Sequence, residues 1–289
     1  VGRTVTKMLL NRGLSVRAQV RVEDERSERL RALGAEVVVG DLLDITAVHR
    51  AVQGCERVCF AMSVAPTYLE AATNMAAVAK HHGVHAFVNL SQMTVSEMDV
   101  FTTTSSPQQK QHWLAEQILS WSGLPVIEVR PTAFMEGLFL QSARSIALQD
   151  RILAPFGSGR NSAIAAFDVA RAITQILSDP TEHIGRTYQL TGLRSQDMRA
   201  VAEEFSSALG RTITYVDVPP EKLKDELAAF GMTPHVISHI ATMAELHRAN
   251  RYDRFSNDVE DLTGAPPMSI REFVEQNAQA FSPRLDEAK

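Results

Sequence analysis

Apolar positions along this chain recur with two different periods, and the periods take turns. Short β-rich runs (Val16 to Val20, Glu36 to Val39, Val58 to Met62, Ala86 to Leu90, Val126 to Val129) alternate with stretches of helical spacing (Glu25 to Leu33, Ile45 to Val52, Tyr68 to His82, Gln108 to Ser122). That beat predicts an α/β fold with a doubly wound parallel sheet, because parallel strands need helical crossovers that cover both faces. The chain enters the series on a helix, Val1 to Gly13, followed by the strand Leu14 to Arg21. This reads as the back half of a βαβ unit of Rossmann type whose first strand is missing from the given chain. A strand and most of a glycine-rich turn, about ten residues or more, are therefore expected upstream of Val1, with an unfilled strand position between the Val16 and Val58 strands.

After Arg130-Pro131 the character changes. Helical spacing runs over Phe134 to Gln149, Asp168 to Leu177, Gln196 to Ala208, Glu221 to Phe230, Pro234 to Asn250 and Ile270 to Phe281. Strands are expected at Thr187 to Leu190 and Thr212 to Val216, and Ser282 to Lys289 is a frayed polar tail. Residues 1–133 are expected to form a dinucleotide-binding domain to which 163–191 is a candidate to return. Residues 134–289 are expected to form mainly a smaller, mostly helical substrate or partner lobe.

With 289 residues, 45% of them apolar and 22% charged, the chain can bury a large core. A net charge of −5 gives no electrostatic reason to expect nucleic acid or an anionic membrane as partner. No apolar run approaches the ~18 residues of a membrane span, and the expected location is cytoplasmic. Cys55 and Cys59 flank an apolar strand and read as small buried hydrophobes. His81, His82 and His85 invite a metal assignment, but Lys80-His81-His82-Gly83 reads as a helix C-terminus with no acidic or cysteine partner in register, so no metal is expected.

Cofactor chemistry is expected where the strands end. Gly2 stands where the last glycine of a pyrophosphate-binding turn would be, opening a helix. Arg21, at the end of its strand, occupies the place where NAD-selective proteins put an acid; a cation there suits a 2′-phosphate, and Arg26 is near enough to help. This favours NADP(H) over NAD(H). Glu23, Asp24 and Glu25 argue the other way, as partners that could withdraw Arg21. Asp41 and Leu42 follow the third strand, where Asp41 can meet adenine or cap the helix near Asp44. Phe60, Ala61 and Met62 end the fourth strand, under the path of a dinucleotide, and Ser91 ends the fifth, facing the cleft.

Together Val20-Arg21, Gly40-Asp41, the Ser91 strand end, His112-Trp113-Leu114-Ala115-Glu116 and Arg130-Pro131-Thr132 resemble the NmrA-like group of atypical short-chain dehydrogenases/reductases over nearly the whole chain. The resemblance implies an NAD(P)-binding sheet domain with a small substrate lobe. It also implies either NADPH-dependent reduction of quinones, azo dyes or triphenylmethane dyes, or non-catalytic NADP(H) sensing with a protein partner. The Tyr-x-x-x-Lys of ordinary short-chain dehydrogenases is absent: Tyr68, Tyr188, Tyr215 and Tyr252 are followed four residues on by Ala72, Gly192, Pro219 and Ser256. In its place stand His112 and, one turn later, Glu116. They read either as a proton-delivering histidine whose ring Glu116 holds, with Ser91 nearby, or as a helix-surface pair. Arg130, Pro131 and Thr132 are expected beside the nicotinamide. Phe134, Met135 and Phe139 read as a wall for a flat ring or as core, and Phe156 to Arg160 as a close-approach loop or a structural turn. The enzyme reading, hydride transfer to a quinone-like acceptor, is the expectation, and the sensor is its alternative.

Overall fold

The structure, a computed structural model, describes residues 1–282, so the expected tail from Pro283 onward lies outside the described residues. The amino-terminal series runs α1 (Gly2–Asn11), β1 (Arg17–Val20), α2 (Glu25–Ala32), β2 (Glu36–Val39), α3 (Ile45–Val52), β3 (Arg57–Phe60), α4 (Tyr68–His82), β4 (Ala86–Leu90), α5 (Pro107–Trp121) and β5 (Val126–Pro131). It continues with α6 (Met135–Phe139), α7 (Ala143–Gln149), β6 (Arg151–Ala154), β7 (Arg160–Asn161), α8 (Ala166–Ser178), β8 (Thr187–Leu190), β9 (Gln196–Asp197), α9 (Met198–Leu209) and β10 (Thr214–Asp217). The elements α10 (Pro220–Ala229), α11 (Pro234–Arg248), α12 (Asp258–Thr263) and α13 (Ile270–Gln276) complete it. Two compact units result: residues 1–103, 107–130 and 169–189 form the first, and, of the described residues, 104–106, 131–168 and 190–282 the second.

In the first unit a four-stranded sheet has the order β3-β4-β5-β8, and β3, β4 and β5 pair in parallel, with Asn89 opposite Glu128. β8 joins in the same direction, since the Glu128 amide donates to the Arg186 carbonyl and the Thr132 amide to that of Leu190. The α/β class and parallel pairing expected from the sequence are thus what the structure shows. β1 and β2 pair in parallel as a separate two-stranded sheet, and no ladder joins β1 to β3. The break falls between the two strands where an unfilled position was expected.

Helices α3, α4 and α5 bury one apolar core against this sheet, through Val48 and Val52, Ala72 and Met75, Ala115 and Leu119, over Val58, Phe60 and Phe87. Local chemistry fixes where these elements start. Asp24 caps α2 by accepting from the Arg26 and Ser27 amides while the Ser27 hydroxyl accepts from the Asp24 amide, a complete capping box. Asp44, not Asp41, caps α3, accepting from the Thr46 amide at 2.9 Å. At Gly40 a Cβ would collide with that of Ala47, so only glycine lets α3 close on the end of β2.

The second unit contains the strand expected at Thr212 to Val216, as β10, and adds strands that the mostly helical expectation did not include. β6 and β10 pair in parallel, because Asp150 adopts a left-handed turn that ends α7 and sends the next four residues out as a strand. The expected helix 134–149 is broken by a 3₁₀ turn at Leu140–Ser142. There the Ser142 hydroxyl donates to the Leu153 carbonyl and the Ser145 hydroxyl to that of Ser142, competing with the helical ladder. Helix 270–281 likewise stops when the Asn277 side chain donates to the Phe273 carbonyl. The core here is aromatic, with Phe139 packed edge-on against Phe205 and Phe273. Among the described residues no helix is long and apolar enough to cross a membrane.

Candidate functional site

In an open parallel sheet, ligands bind beyond the carboxyl ends of the strands, where helix amino termini also gather. In the first unit Arg21 follows β1, Gly40 and Asp41 follow β2, Ala61 and Met62 follow β3, and Ser91 follows β4. Gly2 opens α1 with open space where a Cβ would stand.

The acidic run beside Arg21 does not capture it. Glu23 pairs with Arg31, Glu25 with Arg29 at 2.5 Å, and Asp24 holds Arg26 through Nε at 2.8 Å and Nη2 at 2.6 Å. Arg21 is exposed and makes no hydrogen bond or ion pair among the described residues. The order of the two candidate phosphate ligands is therefore reversed in availability. Arg21 is open, whereas Arg26, expected to assist, is engaged by the capping aspartate, which also lowers the Asp24 pKa. Asp41 accepts from the Leu43 amide at 3.0 Å and is otherwise exposed, with Leu42 half-buried behind it. Phe60 is buried in the core and holds its strand end rather than presenting a contact face; Ala61 is exposed and Met62 half-buried. Ser91 is buried, and its hydroxyl has no partner among the described residues. An orphaned hydroxyl at the end of β4 and an unpaired cation at the end of β1, both at the carboxyl ends of parallel strands, fit a polar dinucleotide.

A buried polar face lies under α5. His112 and Glu116 are 8% and 5% exposed, so they are not the helix-surface pair that one reading allowed. Nor does Glu116 chiefly serve the His112 ring. It grips Arg130 of β5 in a two-point fork, with Arg130 Nε 3.0 Å from Oε1 and Nη2 on Oε2. Arg130 is thereby tied to α5. Next to it on the same strand face is Glu128, which accepts from Asn89 Nδ2 at 2.7 Å. Burial, then the Glu116 charge, pushes the Glu128 pKa up to about 8, against the opposing pull of Asn89 and Arg130.

The sequence reading missed three members of this face: Tyr68, Asn89 and Glu128. Tyr68 is fully buried with its ring centroid 4.1 Å from that of His112, and its hydroxyl lacks a partner among the described residues. Burial, then the charges of Glu128 and Glu116, raise its pKa and keep the phenol neutral. Strand register was the available signal, since Glu128 and Arg130 share one side of β5 and Asn89 is the register partner of Glu128.

Other expected residues are engaged within the second unit. The Thr132 hydroxyl donates to the Ser162 carbonyl at 2.6 Å, and Pro131 is buried. Phe134 bridges to Ile164, while Met135 and Phe139 belong to the core; Met135 also borders a cavity of about 220 Å³ with Ala163, Leu193, Arg194, Glu204 and Met268. The Phe156 to Arg160 loop is a structural turn. Gly157 has a positive φ, and a Cβ on Gly159 would strike the His247 carbonyl.

Residues 1–180 match the NAD(P)H-binding family. The chain is 30% identical to (4-alkanoyl-5-oxo-2,5-dihydrofuran-3-yl)methyl phosphate reductase of Streptomyces griseus subsp. griseus, over 98% of this chain and 96% of that protein. It is 27% identical to NAD(P)H azoreductase of Xenophilus azovorans, over 97% and 96%. Its fold is similar to that of the NADPH-dependent quinone oxidoreductase 2 of Escherichia coli, solved with NADPH, at a TM-score of 0.83 and 21% identity over 96% of each chain. The chain belongs to the NAD(P)H-binding family.

Proposed function

We propose that this chain is an NADPH-dependent reductase that passes hydride to a quinone-like or other conjugated acceptor. The observation that carries the cofactor choice is the unpaired Arg21 at the end of β1, with every acid beside it engaged by another arginine. Its guanidinium is free to fork onto a 2′-phosphate, and Asp41 keeps acceptor capacity for an adenine amino group. The Ser91 hydroxyl, buried without a partner, supplies a polar contact further along the cleft. When bound, the reduced nicotinamide supplies the hydride.

The chain's own residues orient, exclude water and hold protons. The Glu116–Arg130 fork fixes α5 to β5 and so sets His112 against Tyr68. His112 is the proton-holding residue of this face, and Tyr68 stays a neutral phenol. No tyrosine-lysine pair is present to activate a carbonyl. Conjugated acceptors tolerate that lack, because their reduced oxygens take protons from water or a weak donor. The near-full-length likeness to reductases of azo and lactone compounds supports the same class.

The experiment is NADPH consumption against a panel of quinones and azo dyes, with NADH alongside. Oxidation of NADPH by at least one acceptor, faster than of NADH, is the expected result. Tight NADPH binding with no oxidation by any acceptor overturns the reaction and leaves a redox sensor.

A further inference from the structure

Three imidazoles meet at the end of the first unit opposite the cofactor edge. His49 lies in the last turn of α3, and His81 and His82 in the last turn of α4. Because each helix runs back from the carboxyl end of its strand, these last turns gather at the amino ends of β3 and β4. One nitrogen from each ring falls within 4.8 Å of the other two, and His82 Nε2 is 3.0 Å from His49 Nδ1. Adjacent residues on a helix diverge by about 100°, so α4 alone cannot close a site around His81 and His82. The partner absent from the sequence neighbourhood comes from α3. His85, beyond the left-handed Gly83 that ends α4, is exposed and is not part of the group.

We propose that His49, His81 and His82 bind a borderline transition-metal ion, Zn²⁺ being the reference case, and so clamp the end of α3 to the end of α4. Zn–N bonds of about 2.0–2.1 Å place tetrahedral ligand nitrogens about 3.3 Å apart, a spacing reached here by small ring rotations. Three neutral imidazoles with no carboxylate select Zn²⁺, Cu²⁺ or Ni²⁺ over Mg²⁺ or Ca²⁺, and leave a fourth position to water. Each ring offers its lone pair by carrying its proton on the other nitrogen. Both helices also direct the negative ends of their dipoles at the cation. The competing account is a plain His49–His82 hydrogen bond with ring packing.

The test uses the full chain without a histidine tag, stripped by a chelator, then titrated with ZnCl₂ or MgCl₂ and followed by calorimetry and thermal unfolding. One equivalent of Zn²⁺ should bind and raise the Tm, and MgCl₂ should do neither. His49→Gln and His81→Gln should each weaken Zn²⁺ about tenfold or more, whereas His85→Gln should leave it unchanged. His81 is exposed, so its variant keeps the fold whatever His49→Gln does. The proposal is overturned if the stripped wild type binds no Zn²⁺, or if His81→Gln binds it as tightly as the wild type.

Discussion

The first unit holds two groups of arginines and carboxylates, one on the surface around α2 and one buried under α5, and they do opposite things with the same chemistry. Around α2, Glu23, Asp24 and Glu25 pair with Arg31, Arg26 and Arg29 at the surface, where water screens each pair and it contributes little. Under α5, Glu116 and Arg130 are largely removed from water with Glu128 beside them, and there a missing partner leaves a charge that nothing solvates. Apart from the cap that Asp24 gives α2, the surface group can lose an arginine at little cost, and its main effect is to leave Arg21 out. The buried group is a mutually dependent set whose geometry fixes α5, and with it His112.

The comparison breaks most sharply at Glu116. Glu116→Ala leaves the Arg130 guanidinium half-buried and uncompensated, and should cost about 3 kcal/mol or more in urea unfolding. A loss comparable to that of a surface pair would erase the distinction.

Glu128 sharpens it through pH. Its folded pKa lies above the unfolded value near 4.3–4.5, so the native state binds the extra proton between about pH 5 and pH 8. Stability attributable to Glu128 is thus full below that window and is lost as pH rises through it. Glu128→Gln should flatten this slope and be more stable than the wild type by about 1–3 kcal/mol near pH 8. Denaturation midpoints of the two proteins across that range measure it, and parallel curves would refute it.

For His112, the replacement His112→Gln should slow acceptor reduction about tenfold while leaving NADPH affinity within about twofold, as expected of a proton-holding group that water can partly replace. An unchanged rate would confine His112 to packing on Tyr68. The smallest effect is expected at Arg26. Because Asp24 already caps α2 through its other contacts, Arg26→Ala should leave the urea midpoint essentially unchanged and NADPH affinity hardly altered. A large drop in NADPH affinity would return Arg26 to the phosphate.

Periodicity made the parallel sheet legible because β2, α3, α4 and β4 have pure spacing; α4, for instance, begins at Tyr68 and is stopped by the left-handed Gly83. It failed in the second unit, where a serine or asparagine side chain interrupts an apolar stripe that reads as one continuous helix, as at Ser142 and Asn277. The strand-end residues Arg21, Asp41 and Ser91 could be placed from order alone. What could not be read was pairing. No spacing says that Asp24 takes Arg26 while Arg21 stays open, or that Glu116 turns from His112 to a strand residue fourteen positions on. The same blindness hid His49 from His81 and His82, since α3 and α4 meet only in three dimensions.

The central claim is that one unpaired arginine makes this end of the sheet an NADP(H) site. Titration of NADPH and NADH into the wild type and Arg21→Asp tests it most directly. The account predicts a wild type that prefers NADPH, and a variant that loses about tenfold or more in NADPH affinity while NADH binding holds or improves. Equal loss of both cofactors, or no change in preference, would contradict it.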